Sequence, residues 1–285
     1  MTGQVIIGCG YTGERLARRL GGQPLAFTGS ETGARRLRAA GIEARVWNLD
    51  RPALAPVDVM GAIVWYLAPP PETGDGDPRL ARCLEALRGR PRKFVYVSTT
   101  GVYGDAGGGT VTEDTPPAPA TARGERRLAA ERMVQDWCRA RGAPWVVLRV
   151  PGIYGPGRLP IERLRRGDPS IAEAEAGPGN RIHVDDLASV LRAAGESLLA
   201  IDRVYNVGDG DHASSTAYFR TVARLAGLPE PQELPREQLR ERVSPAMWSF
   251  LADSRRVDTA RMRQELGVAL RYPDLESGVR ASLAG

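Results

Sequence analysis

Three hydroxyl residues in a row, Ser98-Thr99-Thr100, follow the apolar run Phe94-Val95-Tyr96-Val97. At the carboxyl end of a buried strand such hydroxyls have two uses. One can donate a hydrogen bond to a carbonyl oxygen and leave its carbon electron-poor, or they can cap the strand end and satisfy loop backbone. Nearer the N-terminus, Gly8-Cys9-Gly10-Tyr11-Thr12-Gly13 follows the apolar run Val5-Ile6-Ile7 and opens a helix-period segment with Leu16, Ala17 and Leu20 on one face. That strand, glycine turn and helix is what a dinucleotide pyrophosphate requires. Gly8 permits the tight turn, Gly10 lets backbone approach phosphate, and Gly13 lets helix pack on strand. The free N–H groups of the helix start then face the phosphates.

Positioning both features takes a sheet. Short apolar runs at Val5–Ile7, Leu25–Thr28, Ala44–Trp47, Ala62–Leu67, Phe94–Ser98 and Trp145–Arg149 alternate with helical segments at Glu14–Leu20, Thr32–Ala40, Pro78–Arg88 and Gly124–Arg141. This pattern predicts an α/β fold, a doubly wound parallel sheet (Rossmann fold) with helices on both faces. Beyond Val150 the order weakens into two Gly/Pro-rich passages, 151–157 and 167–181, the first read as a loop. Val204–Val207 reads as a further strand of the main sheet. Helices are expected at Ser215–Ala226, Arg236–Arg242 and Asp258–Leu266. The expected domains are a nucleotide-binding unit (1–154 plus about 181–210) and a smaller, mostly helical substrate lobe (155–180 plus 211–285). That lobe would close over the strand ends, where such sheets bind ligands.

Composition narrows the function. Of 285 residues 42% are hydrophobic, enough for a buried core. No apolar run reaches the ~20 residues of a membrane span, so the chain is expected to be cytoplasmic, with no membrane role. The net charge of +5 comes from arginines interleaved with acids along helices. That is a solvated surface rather than a nucleic-acid patch. Lys93 is the one lysine. Cys9, Cys83 and Cys138 are scattered, and His183 and His212 have no cysteine cluster beside them, so neither a disulfide frame nor a metal site is expected. Leu128, Met133, Val134 and Trp137 on the long helix suit either core packing or a homodimer contact.

Cofactor choice turns on the tip of the second strand, where an acid usually holds the ribose hydroxyls. Here it reads Phe27-Thr28-Gly29-Ser30, with Glu31 a little late. Gly29 and Ser30 leave room for a 2′-phosphate that Arg35 or Arg36 would pair with, which favours NADP over NAD. The alternative is that both arginines simply face solvent on the second helix.

The chain resembles the extended short-chain dehydrogenase/reductases, the NAD-dependent epimerase/dehydratase-like proteins. The resemblance rests on GCGYTG at 8–13, VSTTGVYGD at 97–105, LRVPGIYGPGR at 148–158, RIHVDDLA at 181–188, VYNVGDG at 204–210 and LGVALRYPDLESGV at 266–279. It implies an NAD(P)-dependent oxidoreductase or epimerase acting on a small sugar-like substrate, nucleotide-sugars included, or another carbonyl compound. It further implies Gly8, Gly10, Tyr11, Thr12, Gly13, Thr28, Gly29, Ser30, Arg35, Ala68, Pro69, Ser98, Arg127, Pro151, Gly152 and Ile153 around the dinucleotide. Thr99, Thr100, Tyr154, Arg158 and His183 would face the substrate, with Thr99 polarising its carbonyl. Asn206 is expected to support backbone near the lobe boundary.

The family's Tyr-x-x-x-Lys pair is missing. The helix ending Leu128-Ala129-Ala130-Glu131 puts Arg123 at the tyrosine's position and Arg127 at the lysine's, and residues 118–131 contain no tyrosine. Arg127 can hold ribose hydroxyls, but a guanidinium at 123 does not release a proton near neutrality. The resemblance is therefore to an atypical branch, and the acid/base would be water or a non-standard side chain. Tyr103, Tyr154 and His183 are candidates, each with a packing or hydrogen-bonding alternative. Asp185 and Asp186 are expected to cap the next helix. The competing reading is a catalytically silent NADP(H)-binding regulator or scaffold.

Overall fold

The computed structural model describes residues 3–52, 55–244, 247, 248, 251 and 253–285; the other positions inside the expected domain ranges lie outside it. Seven parallel strands form the central sheet. They are β1 (Gln4–Ile7), β2 (Leu25–Thr28), β3 (Ala44–Val46), β4 (Ile63–Tyr66), β5 (Lys93–Thr99), β6 (Trp145–Val150) and a last strand, Arg203–Asn206. Two short parallel strands, β7 (Gly152–Tyr154) and β8 (Arg181–His183), intervene in the chain, so the last strand is β9. The order across the sheet is β3-β2-β1-β4-β5-β6-β9. Connections run outward in opposite directions from β1 and β4, and a ligand crevice opens at the carboxyl ends there.

The strands are almost wholly apolar because helices cover both faces. All four residues of β4 are buried. On one face α1 (Tyr11–Ala17), α2 (Glu31–Ala39) and α6 (Val184–Glu196) pack over Ile6, Trp65, Val95 and Leu148. Contact there is close: a side-chain carbon at Gly195 would stand 2.5 Å from the Trp65 ring. On the other face, α3 (Pro78–Ala86) and α4 (Ala122–Arg139) cover Val5, Val64, Phe94 and Val147. Val134, Met133 and Trp137 of α4 join this second core, and the Trp137 indole donates to the Leu84 carbonyl. Leu128 packs in a smaller cluster with Tyr103. The apolar residues that suited a partner surface are thus used within the chain.

The C-terminal part is mostly helical. It comprises α5 (Ile161–Arg165), α7 (Ser215–Ala226), α8 (Arg236–Arg242), α9 (Ala260–Leu266) and α10 (Leu275–Ala284). Tyr154, Leu164, Val222, Ala223, Leu275 and Val279 form a separate apolar cluster within it. Two sequence expectations are corrected. Residues 151–157 are not all loop, since 152–154 pair with 181–183, and α10 had no place in the sequence reading. The neighbourhood of Gly278 explains the second: Asp274 caps the helix by accepting from Ser277 N–H, and Gly278 admits the Tyr154 ring against it. Among the described residues no helix is long and apolar enough to cross a membrane.

Candidate dinucleotide and substrate site

At the glycine turn, each glycine answers to a different constraint. Gly8 has φ +81°, and a side-chain carbon there would stand 2.5 Å from the Ala68 nitrogen. Gly13 packs on Cys9 and Leu67, both 3.2 Å from such a carbon. At Gly10 a side-chain carbon would meet nothing within 4 Å, so its lack of a side chain answers to no contact within the chain. A backbone that must approach a pyrophosphate has that property. Burial pushes the Cys9 thiol up to about 12, which leaves it protonated and inert.

The tip of β2 is largely spoken for. The Ser30 hydroxyl accepts from Gly33 N–H as the cap of α2, Glu31 pairs with Arg38 at 3.0 Å, and Arg36 pairs with Glu14. Arg35 is exposed on the same helix turn. Gly33 is held without a side chain by Thr28, whose hydroxyl would lie 2.7 Å from one. Loop 69–76 is tied down by arginines: Arg79 donates to the Pro69 carbonyl, and Arg126 donates to those of Glu72 and Gly74.

The substrate side is a cavity of about 730 Å³ at the carboxyl ends of β5 and β6. Its walls include Thr99, Thr100, Pro151, Gly152, Ile153, Tyr154 and Arg158, so seven sequence-chosen residues meet there. Register explains the meeting, because Thr99 pairs with Val150, immediately before Pro151. Thr99 caps the turn at 100–103 by accepting from Gly101 N–H at 3.2 Å. Its own O–H can still donate. Helix α4 starts against this turn, since a side-chain carbon at Gly124 would stand 2.8 Å from the Gly101 carbonyl oxygen. Arg123 consequently joins the cavity wall.

Several chosen side chains are turned elsewhere. Ser98 faces α4, donating to the Glu131 carboxylate at 2.5 Å rather than facing a cofactor. Glu131 also accepts from Arg149 at 2.8 and 3.2 Å, with both side chains buried. The Arg149 guanidinium lies 4.8 Å over the Tyr103 ring. Tyr103 donates to the Asn206 side-chain oxygen at 2.7 Å, so its hydroxyl is committed below the cavity, not offered as a catalytic acid. Burial opposes the Arg149 charge, but the Glu131 hydrogen bonds and attraction outweigh it and raise its pKa. Asn206 N–H in turn donates to Glu113, 3.7 Å from Arg261. A buried polar chain thus runs from the Thr99 strand end to the C-terminal part, and Asn206 holds its middle.

Arg127 is also buried. It donates to the Tyr96 hydroxyl at 3.1 Å and the Val97 carbonyl at 2.9 Å, and so anchors α4 on β5. Tyr154 contributes to the wall, but its hydroxyl packs on Gly278, and burial raises its pKa far beyond the working range. His183 does not line the cavity. It is buried between Tyr154 and Tyr272, its Nδ1 accepts from Asp185 N–H, and burial lowers its pKa. Hence His183, and not the two aspartates, caps α6. Asp186 instead accepts from the Arg271 and Tyr272 backbone, and Asp185 pairs with Arg19. Tyr11 is a wall of its own: its ring lies between the guanidinium groups of Arg15 (4.1 Å) and Arg158 (4.0 Å), and its hydroxyl donates to the Pro156 carbonyl.

Arg163, Arg181, Tyr218 and Arg255 also line the cavity and were not chosen from sequence. Arg181 opens the recognised 181–188 segment and Tyr218 lies on the expected helix α7, but that they reach this cavity depends on tertiary folding. The Arg181 guanidinium donates to Ala213 and Ser214 carbonyls, Arg163 to the Pro169 carbonyl, and Arg255 to the Gly104 carbonyl.

The fold and this crevice define a doubly wound α/β protein with a dinucleotide-type glycine turn beside a substrate-sized cavity. Residues 79–208 match the profile of the NAD dependent epimerase/dehydratase family, and the chain belongs to that family. Over 99% of both chains it is 33% identical, with a TM-score of 0.79, to a conserved protein of unknown function from Silicibacter pomeroyi DSS. Protein YeeZ of Escherichia coli (strain K12) is 28% identical over 94% of this chain and 96% of its own. The UDP-glucuronic acid 4-epimerase of Bacillus cereus, solved in complex with NAD, shares the fold. Its TM-score is 0.76 at 20% identity over 99% of this chain and 97% of that one.

Proposed function

We propose that the protein is an NAD(P)-dependent oxidoreductase or epimerase-type enzyme acting on a sugar-like substrate, nucleotide-sugars included, with NADP favoured. The observation that carries this reading is the cavity's composition: Thr99, with a donor hydroxyl to spare, and Pro151–Ile153 share one wall at the carboxyl edge that also carries the glycine turn. The dinucleotide would lie on Gly8, Gly10, Gly13 and Ala68, with the exposed Arg35 as the candidate partner of a 2′-phosphate. When bound it supplies a hydride acceptor or donor. Thr99 donates a hydrogen bond to the substrate oxygen as its carbon gains or loses the hydride. The hydroxyl proton passes to or from water, because the hydroxyls of Tyr103 and Tyr154 point away from the cavity, burial pushes the Tyr218 phenol up to about 12, and Arg123 holds its proton. Relatives with UDP-sugar and NAD in their names support the substrate class.

One observation favours the second reading, a silent NADP(H)-binding regulator: Arg127 is fastened to Tyr96 and Val97, with its guanidinium used structurally. Titration with NADPH, NADP⁺ and NADH, followed by tryptophan-to-nicotinamide energy transfer, tests both. The enzyme reading expects tight binding and hydride transfer to or from a sugar. Binding without turnover, with different affinities for reduced and oxidised forms, selects the regulator. No binding refutes both.

A further inference from the structure

Charge around the cavity is one-sided. Among the described residues its wall holds five guanidinium groups, Arg123, Arg158, Arg163, Arg181 and Arg255, against a single carboxylate, Asp253. That carboxylate lies 3.1 Å from Arg255. Arg158 and Arg163 stack on the Tyr11 and Phe219 rings, and Arg163 and Arg181 donate to carbonyls, none of which cancels charge; outside the wall, Asp168 acts on Arg163 and the buried Asp209 on Arg181. In a partly desolvated cleft such charge attracts anions strongly.

The distribution is more informative than the total. Arg158 and Arg163 belong to the 155–165 segment, which holds α5. Arg123 lies at the start of α4, one residue before Gly124, which packs directly on Gly101 in the Thr99 turn. Arg255 meets the end of the same turn, donating to the Gly104 carbonyl. Two arginines of the cavity wall thus come from segments that pack on the turn Thr99 caps. Burial and the neighbouring Arg127 and Arg126 all act against the charge on Arg123, a cost that an anion seated on it would offset.

Building on the proposed function, we infer that the substrate carries an oxyanion, carboxylate or phosphoryl, close to the carbon that reacts, seated on Arg123 beside Thr99. A neutral sugar hydroxyl at that place would leave the excess positive charge of the wall as it stands, whereas an oxyanion reduces it. Arginine suits the role because its planar fork grips two oxygens of such a group at once. Arg158 and Arg163 then remain for a second polar or anionic part of the substrate.

The test is calorimetric titration with three probes, D-glucuronate, D-glucose 6-phosphate and D-glucose, with and without saturating NADP⁺. Wild type, R123Q and R123K are compared, and circular dichroism confirms that each variant is folded. At least one acid is expected to bind about tenfold or more tightly than glucose. R123Q should weaken it about tenfold or more, as loss of a charge-assisted hydrogen bond does, and R123K should recover part of the loss. Glucuronate and glucose 6-phosphate distinguish the two oxyanions. Binding of glucose as tight as that of the acids, unchanged acid binding by R123Q, or no acid binding at all would overturn the inference. Failure of NADP⁺ and NAD⁺ to bind refutes the proposed enzyme instead, and the titrations without dinucleotide still decide the anion site.

Discussion

Replacing Glu131 by glutamine should be among the most damaging single-atom changes in this protein. The side chain accepts from Ser98 on β5 and from two nitrogens of Arg149 on β6, and is 2% exposed. Glutamine keeps the shape but removes the charge, leaving a buried guanidinium without its counter-ion. The nearest compensation is the Tyr103 ring, and the Arg149 Nη1 has no hydrogen-bond partner even in the wild type. Breaking one side of such a pair costs about 3–5 kcal/mol. At about 2.1 cal/mol/K per residue, the unfolding entropy of the chain is about 0.6 kcal/mol/K, so Tm should fall by about 5–8 °C. Calorimetry on Glu131→Gln, Arg149→Met and the double variant measures it. The double variant should lose much less than the two single losses combined, because it removes both charges. A fall below about 2 °C for Glu131→Gln, or additive losses in the double variant, would refute the account of this pair.

The two glycines of the turn should separate folding from binding. Gly8→Ala meets the Ala68 backbone at φ +81° and should lower Tm as well as dinucleotide affinity, whereas the side-chain carbon of Gly10→Ala meets nothing within 4 Å and should keep Tm while abolishing binding. Thr99→Val should leave dinucleotide titrations unchanged and slow hydride transfer about 10²–10³-fold, the usual loss for one donor aimed at a developing oxyanion. Burial pushes the Asp209 carboxyl up to about 7 from 3.8, so the folded state holds its proton more tightly than the unfolded chain. Stability from this group is fully present below about pH 3.8 and lost as pH rises to about 7. Asp209→Asn should therefore gain Tm over wild type progressively across that window, and level off above it; a gain that does not change with pH would contradict the assignment.

Much of the fold is written in local pattern. The glycine turn and the alternation of short Val/Ile runs with helical stretches give the sheet, because a strand buried on both faces has to be apolar throughout. The helix after the turn begins at Tyr11, earlier than its apolar residues suggest, since amphipathic spacing marks packing rather than the first turn. Strands β7 and β8 escape such reading. Each is three residues long, β7 within one Gly/Pro-rich passage and β8 at the end of the other, and each exists only because the other lies beside it. The substrate cavity was only half legible for the same reason. Thr99, Thr100, Arg158 and Arg181 belong to recognisable segments, while Arg163 and Arg255 reach it through tertiary packing.

Side-chain direction was the harder question, and for Ser98 a signal was available. Tyr96 and Ser98 lie two apart on β5 and therefore share a face; Arg127 and Glu131 lie four apart on α4 and share another. The structure joins these faces residue by residue, Tyr96 to Arg127 and Ser98 to Glu131. Strand parity alone then turns Thr99 away from α4's packed face and frees its hydroxyl for the cavity. The same helical spacing carries Arg123 one turn before Arg127, past the strand end and onto the cavity wall. One helix face thus gives three charged residues three different surroundings. Glu131 meets a buried cation, Arg127 meets a hydroxyl and a carbonyl, and Arg123 borders the space in which a substrate would lie. The position that bears on chemistry is the one the helix carries beyond the sheet, which is why charge at residue 123 bears on substrate choice while charge at 127 and 131 bears on stability.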